Sequence, residues 1–233
     1  MIEFARPDGK TAPGYYVAPK IPEAESAPGI VLVEEWWGVT AWIMEVADRY
    51  AALGYRVLVP DLYRGRAAAV GDEANHLMQG LDFQDALTQD VRGALMYLED
   101  SSEKVGVTGY CMGGALALLA AMHLKEPAAA VVFYNTPPQD AGDPATIEIP
   151  ILLHYARQDE FFPPAAASKV EERLKEGKVP YQLEWYDAKH GFCNPNPQGA
   201  AGLGHYNSEA CHQAWERTVK FWQTHLQKKK QEA

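Results

Sequence analysis

An α/β fold with a mostly parallel central sheet and helices on both faces is what this sequence predicts, on three observations. Short, β-branched, almost wholly apolar runs recur along the chain, as strands buried on both faces require. Longer amphipathic segments alternate with them, the rhythm of a layered sheet built from strand-helix-strand units. The chain has 233 residues, about one and a half times a 150-residue domain, a length that suits one such sheet. No repeat, low-complexity linker or break in composition marks a second unit, so residues 1–233 are read as a single domain.

The elements follow in order. Residues 1–20 alternate short apolar stretches with the turn-forming pairs Asp8-Gly9 and Pro13-Gly14, which predicts an antiparallel hairpin. Buried strands are then expected over 29–34, 55–60, 105–109, 129–134, 151–155 and 181–186. Helices are expected over 40–53, 72–79, 83–99, 112–124, 164–176 and 207–226. Thr40 and Asp82 stand where N-caps belong, and Gly177 follows the charged helix that ends near Glu176.

Composition narrows the function classes. With 47% hydrophobic and 22% charged residues the chain can build a core, which excludes disorder and collagen-like repeats. Its formal charge of −10 has the wrong sign for neutralising phosphates, so no nucleic-acid partner is expected. The segment Met1 to Gly9 lacks the basic start and long apolar stretch of a secretory signal. The longest apolar run, Ala115 to Met122, is far short of the roughly 20 residues a membrane crossing needs. A monomer in the cytoplasm, away from membranes, is therefore expected. Lys228-Lys229-Lys230, beside Glu232, reads as a solvated terminal run. The three cysteines, Cys111, Cys193 and Cys211, cannot make a disulfide framework and suit a reducing compartment. Neither a Cys-x-x-Cys pair nor a His-rich spacing is present, so no metal and no cofactor are expected.

The most informative stretch is Val105 to Ala115, where a strand runs directly into an alanine-rich helix through Gly109-Tyr110-Cys111-Met112-Gly113. The pattern G-x-C-x-G has the spacing of a nucleophile elbow with Cys in place of Ser. A nucleophile on so sharp a turn occupies a strained backbone, and the flanking glycines let helix and strand approach. The helix start beneath Cys111 offers unpaired N–H groups that favour a thiolate and a developing oxyanion. The bland alternative is a buried small hydrophobe between packing glycines.

Partners decide between the two. A nucleophilic Cys needs a base within hydrogen-bond reach and a third group to orient that base. Asp159 falls just beyond the strand 151–155, and His190 just beyond 181–186. The order nucleophile, acid, histidine and the position of all three at carboxyl ends of strands, where open α/β sheets bind ligands, select these residues. Asp159 could instead merely start a turn. Among the seven histidines only His154 also belongs to one of these strands, and it lies inside it.

With these residues in hand, the sequence resembles the dienelactone hydrolase family. The resemblance rests on Gly109 to Gly114, on Glu34-Glu35-Trp36-Trp37-Gly38, on Pro60-Asp61-Leu62-Tyr63, on Gln158 to Pro163 and on His190-Gly191-Phe192, and it covers nearly the whole chain. It implies the α/β-hydrolase fold and hydrolysis of a small-molecule carboxylic ester or lactone. Cys111, Asp159 and His190 would be the triad, and the acyl group would pass through a thioester on Cys111. It also implies that Glu35 accepts the thiol proton when substrate binds, with neighbouring Glu34 a competing candidate, and that the backbone N–H groups of Trp36 and Met112 form the oxyanion hole.

The chain departs from the family at two arginines that would hold a substrate carboxylate. One position falls at Asn194, and the helical region from Glu73 to Asp90 has no arginine. Asn cannot replace the charge of a bidentate Arg, which weakens dienelactone as the specific substrate. Arg64 or Arg66 could supply a compensating cation, while Trp37, Phe161, Phe192 and Asn194 are candidate substrate-binding residues, the aromatics pointing to an apolar or aromatic-tolerant pocket at the catalytic loops. Cys193 reads as an incidental pocket-wall thiol and Cys211 as a buried helical one. A thioesterase or acyltransferase with the same triad, and a protein whose reactive Cys111 senses oxidants or binds without catalysis, are the alternatives.

Overall fold

The sheet grows outward from Gly29–Val33 (β3), five residues buried on both faces. Because successive side chains point to opposite faces, Ile30 and Leu32 enter one hydrophobic core while Val31 and Val33 enter the other. The computed structural model describes residues 1–22, 24–195 and 205–227. Its remaining strands are Ile2–Ala5 (β1), Thr11–Val17 (β2), Arg56–Pro60 (β4), Val105–Tyr110 (β5), Ala129–Phe133 (β6), Ile151–Ala156 (β7) and Tyr181–Tyr186 (β8). They form one eight-stranded sheet in the order β1-β2-β4-β3-β5-β6-β7-β8.

The hairpin β1-β2 is antiparallel and joins antiparallel to β4, and every later pair is parallel. All strands from β3 onward therefore end on one edge. Each expected buried strand is present, with no end displaced by more than one residue.

Helices Ala41–Ala52 (α1) and Ser208–His225 (α7) cover one face, with Ile43, Tyr50, Phe221 and Trp222 in its core. Gly71–Gln79 (α2), Phe83–Asp85 (α3), Arg92–Glu99 (α4), Met112–His123 (α5) and Pro164–Glu176 (α6) cover the other. The expected caps are formed: Thr40 Oγ1 accepts from the Ile43 amide, and Asp82 Oδ1 accepts from Gln84 and Asp85.

One expectation needs correction. The helix predicted over 83–99 is interrupted by a π-helical turn, Ala86–Val91. Asp90 in that turn is buried and pairs with Arg64 at 2.8 Å and Arg6 at 3.4 Å. Hydrophobic spacing carries no sign of this widened turn, because its charged partners come from distant segments. The run Lys228-Lys229-Lys230 lies outside the described residues. Among the described residues no helix is long and apolar enough to cross a membrane.

Candidate active site

The strand β5 ends against α5 with almost no room between them. A Cβ on Gly109 would lie 2.0 Å from the Gly113 carbonyl oxygen, and one on Gly113 would lie 2.3 Å from that of Val33, so both positions require glycine. Between them Cys111 takes φ +51° and ψ −117°, a region that L residues avoid and that costs about 1–3 kcal/mol. Hydrogen bonds hold it there: its N–H donates to the Phe133 carbonyl at 3.1 Å, and its carbonyl accepts from Gly114 and Ala115 at 2.8 and 3.2 Å.

His190 reaches this turn from the loop after β8. Its Nε2 lies 3.1 Å from Cys111 Sγ and its Nδ1 lies 2.9 Å from Asp159 Oδ2. Asp159 follows β7, and its other oxygen accepts from the Phe161 and Phe162 amides at 2.9 and 2.8 Å, which fixes the carboxylate toward the imidazole. Both side chains are buried. The rings of Phe161, Phe162 and Tyr134 stand 5.1 to 5.3 Å from the imidazole and shield it from water. Burial by itself pulls His190 down, but charge on the Cys111 sulfur and the hydrogen bond to Asp159 outweigh it and raise the imidazole to about 10. The geometry can pass a proton between sulfur and nitrogen while holding the ring in one orientation.

Glu34 and Glu35, adjacent at the end of β3, turn to different surroundings. Glu35 Oε1 accepts from the Tyr134 hydroxyl at 3.2 Å and Oε2 from Asn194 Nδ2 at 2.7 Å. Burial pushes its carboxyl up to about 7, against those two bonds and the nearby His190 charge. Glu34 is fully buried near Asp61 and Arg64, and burial together with the Asp61 charge raises it well above the carboxylate range. The carboxyl set beside the His190 loop is thus that of Glu35.

The remaining expected site residues are distributed unevenly. Met112 is the first residue of α5, so its amide lacks an acceptor within the helix. Trp36 follows β3, whose residue Val33 is level with Gly109, so both amides belong to the same edge of the sheet. Phe161 is 50% exposed beside His190. Phe192, expected in the pocket, is instead fully buried between Tyr134 and Tyr186, and Trp37 is buried against Trp36. Arg64, expected as a substrate cation, is engaged by both oxygens of Asp90 at 2.8 Å and by the Asp61 carbonyl at 2.7 Å. Cys211, expected to be buried, is half-buried. Among the described residues no three His, Cys, Asp or Glu side chains gather as a metal-binding group.

Tyr134 is the residue that sequence reasoning missed. It directly follows β6 with φ +40°, its ring packs on His190 and its hydroxyl donates to Glu35. Its place at the carboxyl end of a strand next to β5 was the available signal. Asn194 was noticed for the charge it lacks, and the structure gives it a contact with Glu35.

Comparison with known proteins follows the same lines. The family profile described as the dienelactone hydrolase family matches residues 13–226. The chain is 30% identical to the carboxymethylenebutenolidase of Rhodococcus opacus over 86% of its own length and 82% of the relative. It is 29% identical to Protein usf of Aquifex pyrophilus over 97% and 98% of the two chains. A dienelactone hydrolase-like promiscuous phosphotriesterase from metagenomic libraries superposes with a TM-score of 0.80 at 20% identity, covering 97% of this chain and 98% of that one.

Proposed function

The chain belongs to the dienelactone hydrolase family, and on that premise we propose that it hydrolyses a carboxylic ester or lactone through a Cys111-His190-Asp159 triad and a thioester acyl-enzyme. The observation that carries this reading is the unbroken line from Cys111 Sγ through His190 to Asp159, at 3.1 and 2.9 Å.

In the first half-reaction the Cys111 thiol passes its proton to His190 Nε2, 3.1 Å away, as the sulfur attacks the acyl carbon. The amides of Met112 and Trp36 receive the developing oxyanion. His190, oriented by Asp159, gives the proton to the departing alkoxide or enolate, then takes one from water as that water attacks the thioester. Glu35 is the second proton site. Family resemblance gives it the alternative role of accepting the thiol proton when substrate enters, which suits a carboxyl raised to about 7 beside the neutral donors Tyr134 and Asn194.

The acyl group is uncharged in this reading. Asn194 offers no cation where the family has an arginine, and Arg64 is occupied by Asp90. A cytoplasmic location fits the three free thiols, which a reducing compartment preserves, and a single domain fits the one continuous sheet. The test is a panel of activated neutral esters, lactones, their carboxylate-bearing analogues and thioesters, run with wild type and Cys111→Ala. Cleavage of neutral esters or lactones that disappears in Cys111→Ala is expected. Full cleavage by the variant would contradict the triad, and a panel in which only thioesters react would point to a thioesterase.

A further inference from the structure

The two cysteines that ester cleavage leaves unused share one place in the fold. Cys193, three residues beyond His190, is buried, whereas Cys211 in the first turn of α7 is half-buried. Backbone bonds hold their segments side by side: the Asn207 amide donates to the Phe192 carbonyl at 3.0 Å, and the Cys211 amide donates to the Asn207 carbonyl at 2.9 Å. The Cys211 thiol lies 3.8 Å from the Cys193 carbonyl oxygen, and each thiol perturbs the ionisation of the other. A cavity of about 10 Å³, the room of a single water, adjoins both residues and Arg49. The two side chains thus border one small void.

The two thiols differ in a way that suits a stepwise oxidation. The Cys193 contact and the positive charge of Arg49, whose guanidinium lies 3.9 Å above the Trp215 ring, together pull the Cys211 thiol below its ordinary value against burial. Burial pushes Cys193 well above its own, helped by Cys211 beside it. A half-exposed thiol that ionises readily, backed by a second thiol shielded from solvent, is the arrangement of an attacking and a resolving cysteine.

We propose that Cys193 and Cys211 are a redox-modification site, oxidised by hydrogen peroxide to an intrachain disulfide that fastens the loop carrying His190 and Asn194 to α7. The Cys211 thiolate attacks one peroxide oxygen; the O–O bond breaks, a sulfenic acid forms and the second oxygen leaves as hydroxide, which takes up a proton to become water. The Cys193 sulfur then attacks the sulfenic sulfur, the S–O bond breaks and the departing hydroxide becomes a second water with the Cys193 proton. Two thiols and one peroxide give one disulfide and two waters, the sulfurs losing the two electrons that the peroxide oxygens gain. A thiol reductant reverses the change. The bridge lies one residue from Asn194, which holds Glu35 at 2.7 Å. The site stands whether or not Cys111 carries an acyl group.

The experiment treats the full chain with hydrogen peroxide, blocks the remaining thiols with an alkylating agent and maps the peptides by mass spectrometry. The expected result is a linked pair of peptides joining Cys193 to Cys211, lighter by two hydrogen atoms, with alkylation lost at both positions in step and recovered on reduction. The same pair is expected in Cys111→Ser, and no linked pair in Cys211→Ser. Should either variant fail to fold, the wild-type map gives the answer alone. Sulfinic acid at Cys211 with Cys193 still alkylated, a bridge that includes Cys111, a bridge between two chains, or full alkylation of both thiols after treatment would each overturn the proposal.

Discussion

Two histidines are buried among aromatic rings of this sheet, and their partners drive them in opposite directions. His154, inside β7, packs against Phe133 and Tyr186 with its ring nitrogens 2.9 Å from the Tyr186 hydroxyl and from Thr218 Oγ1. Burial, reinforced by the Arg217 charge, lowers it to about 3. His190 is similarly enclosed, yet with Asp159 on one nitrogen and Cys111 on the other it rises to about 10. Enclosure in aromatic rings does not make a histidine a proton carrier. Burial between an acid and a thiol favours the charged imidazole, whereas a buried histidine held by neutral hydroxyls is a packing element.

The sharpest way to break this contrast is to remove each ring. His190→Ala is expected to lower ester turnover by about a thousand-fold or more, with the fold retained. His154→Gln should leave turnover within about three-fold, because no reacting group touches that site. Steady-state kinetics beside thermal melts checks both, and comparable losses in the two folded variants would erase the distinction. Next in size is Asp159→Asn, which keeps the shape but not the charge that orients His190. A loss of roughly 10²–10⁴ in kcat is expected from it, and unchanged kcat would show that the aromatic rings alone position the imidazole.

Stability against pH sharpens the same comparison. The folded value of His154 lies below its ordinary 6.5. Its contribution to stability is thus present above about pH 6.5 and is lost as pH falls through about 3, by up to roughly 5 kcal/mol. His190 runs the other way: its folded value is raised, so its contribution is full below about pH 6.5 and is lost as pH rises through about 10. Urea unfolding across the acid range should show His154→Gln flattening the wild-type decline, and an unchanged slope would contradict a neutral His154.

A smaller loss of turnover than at His190 or Asp159 is expected at Glu35, which burial raises to about 7. If it must be ionised to take the thiol proton, turnover rises with pH through about 7. Glu35→Gln should remove that limb and lower kcat by about ten-fold. A pH profile that keeps its limb in the variant would assign it to another group.

How much of this was legible in the sequence depends on the range of the interactions. The elbow was readable because Gly109 and Gly113 are demanded by local geometry, as the contacts that a Cβ would make there show. The strand ends that carry Asp159 and His190 were readable because buried strands are short apolar runs that stop abruptly. The triangle of Glu35, Tyr134 and Asn194 was not, since its members lie 99 and 159 residues apart in sequence and nothing local marks the contact. The ion pair that occupies Arg64 was hidden for the same reason, as was the meeting of Cys193 with Cys211, 18 residues on.

The central claim, that Cys111 carries the acyl group between two half-reactions, is tested most directly by trapping the intermediate. Wild-type protein is mixed with a slowly deacylating activated ester, quenched in acid during turnover and mapped by mass spectrometry. An acyl group in thioester linkage on the Cys111 peptide, formed and lost at rates consistent with turnover and missing from Cys111→Ala, is the predicted result. Continued hydrolysis with Cys111 unmodified at every time point, or an acyl group carried on any other residue, would contradict it.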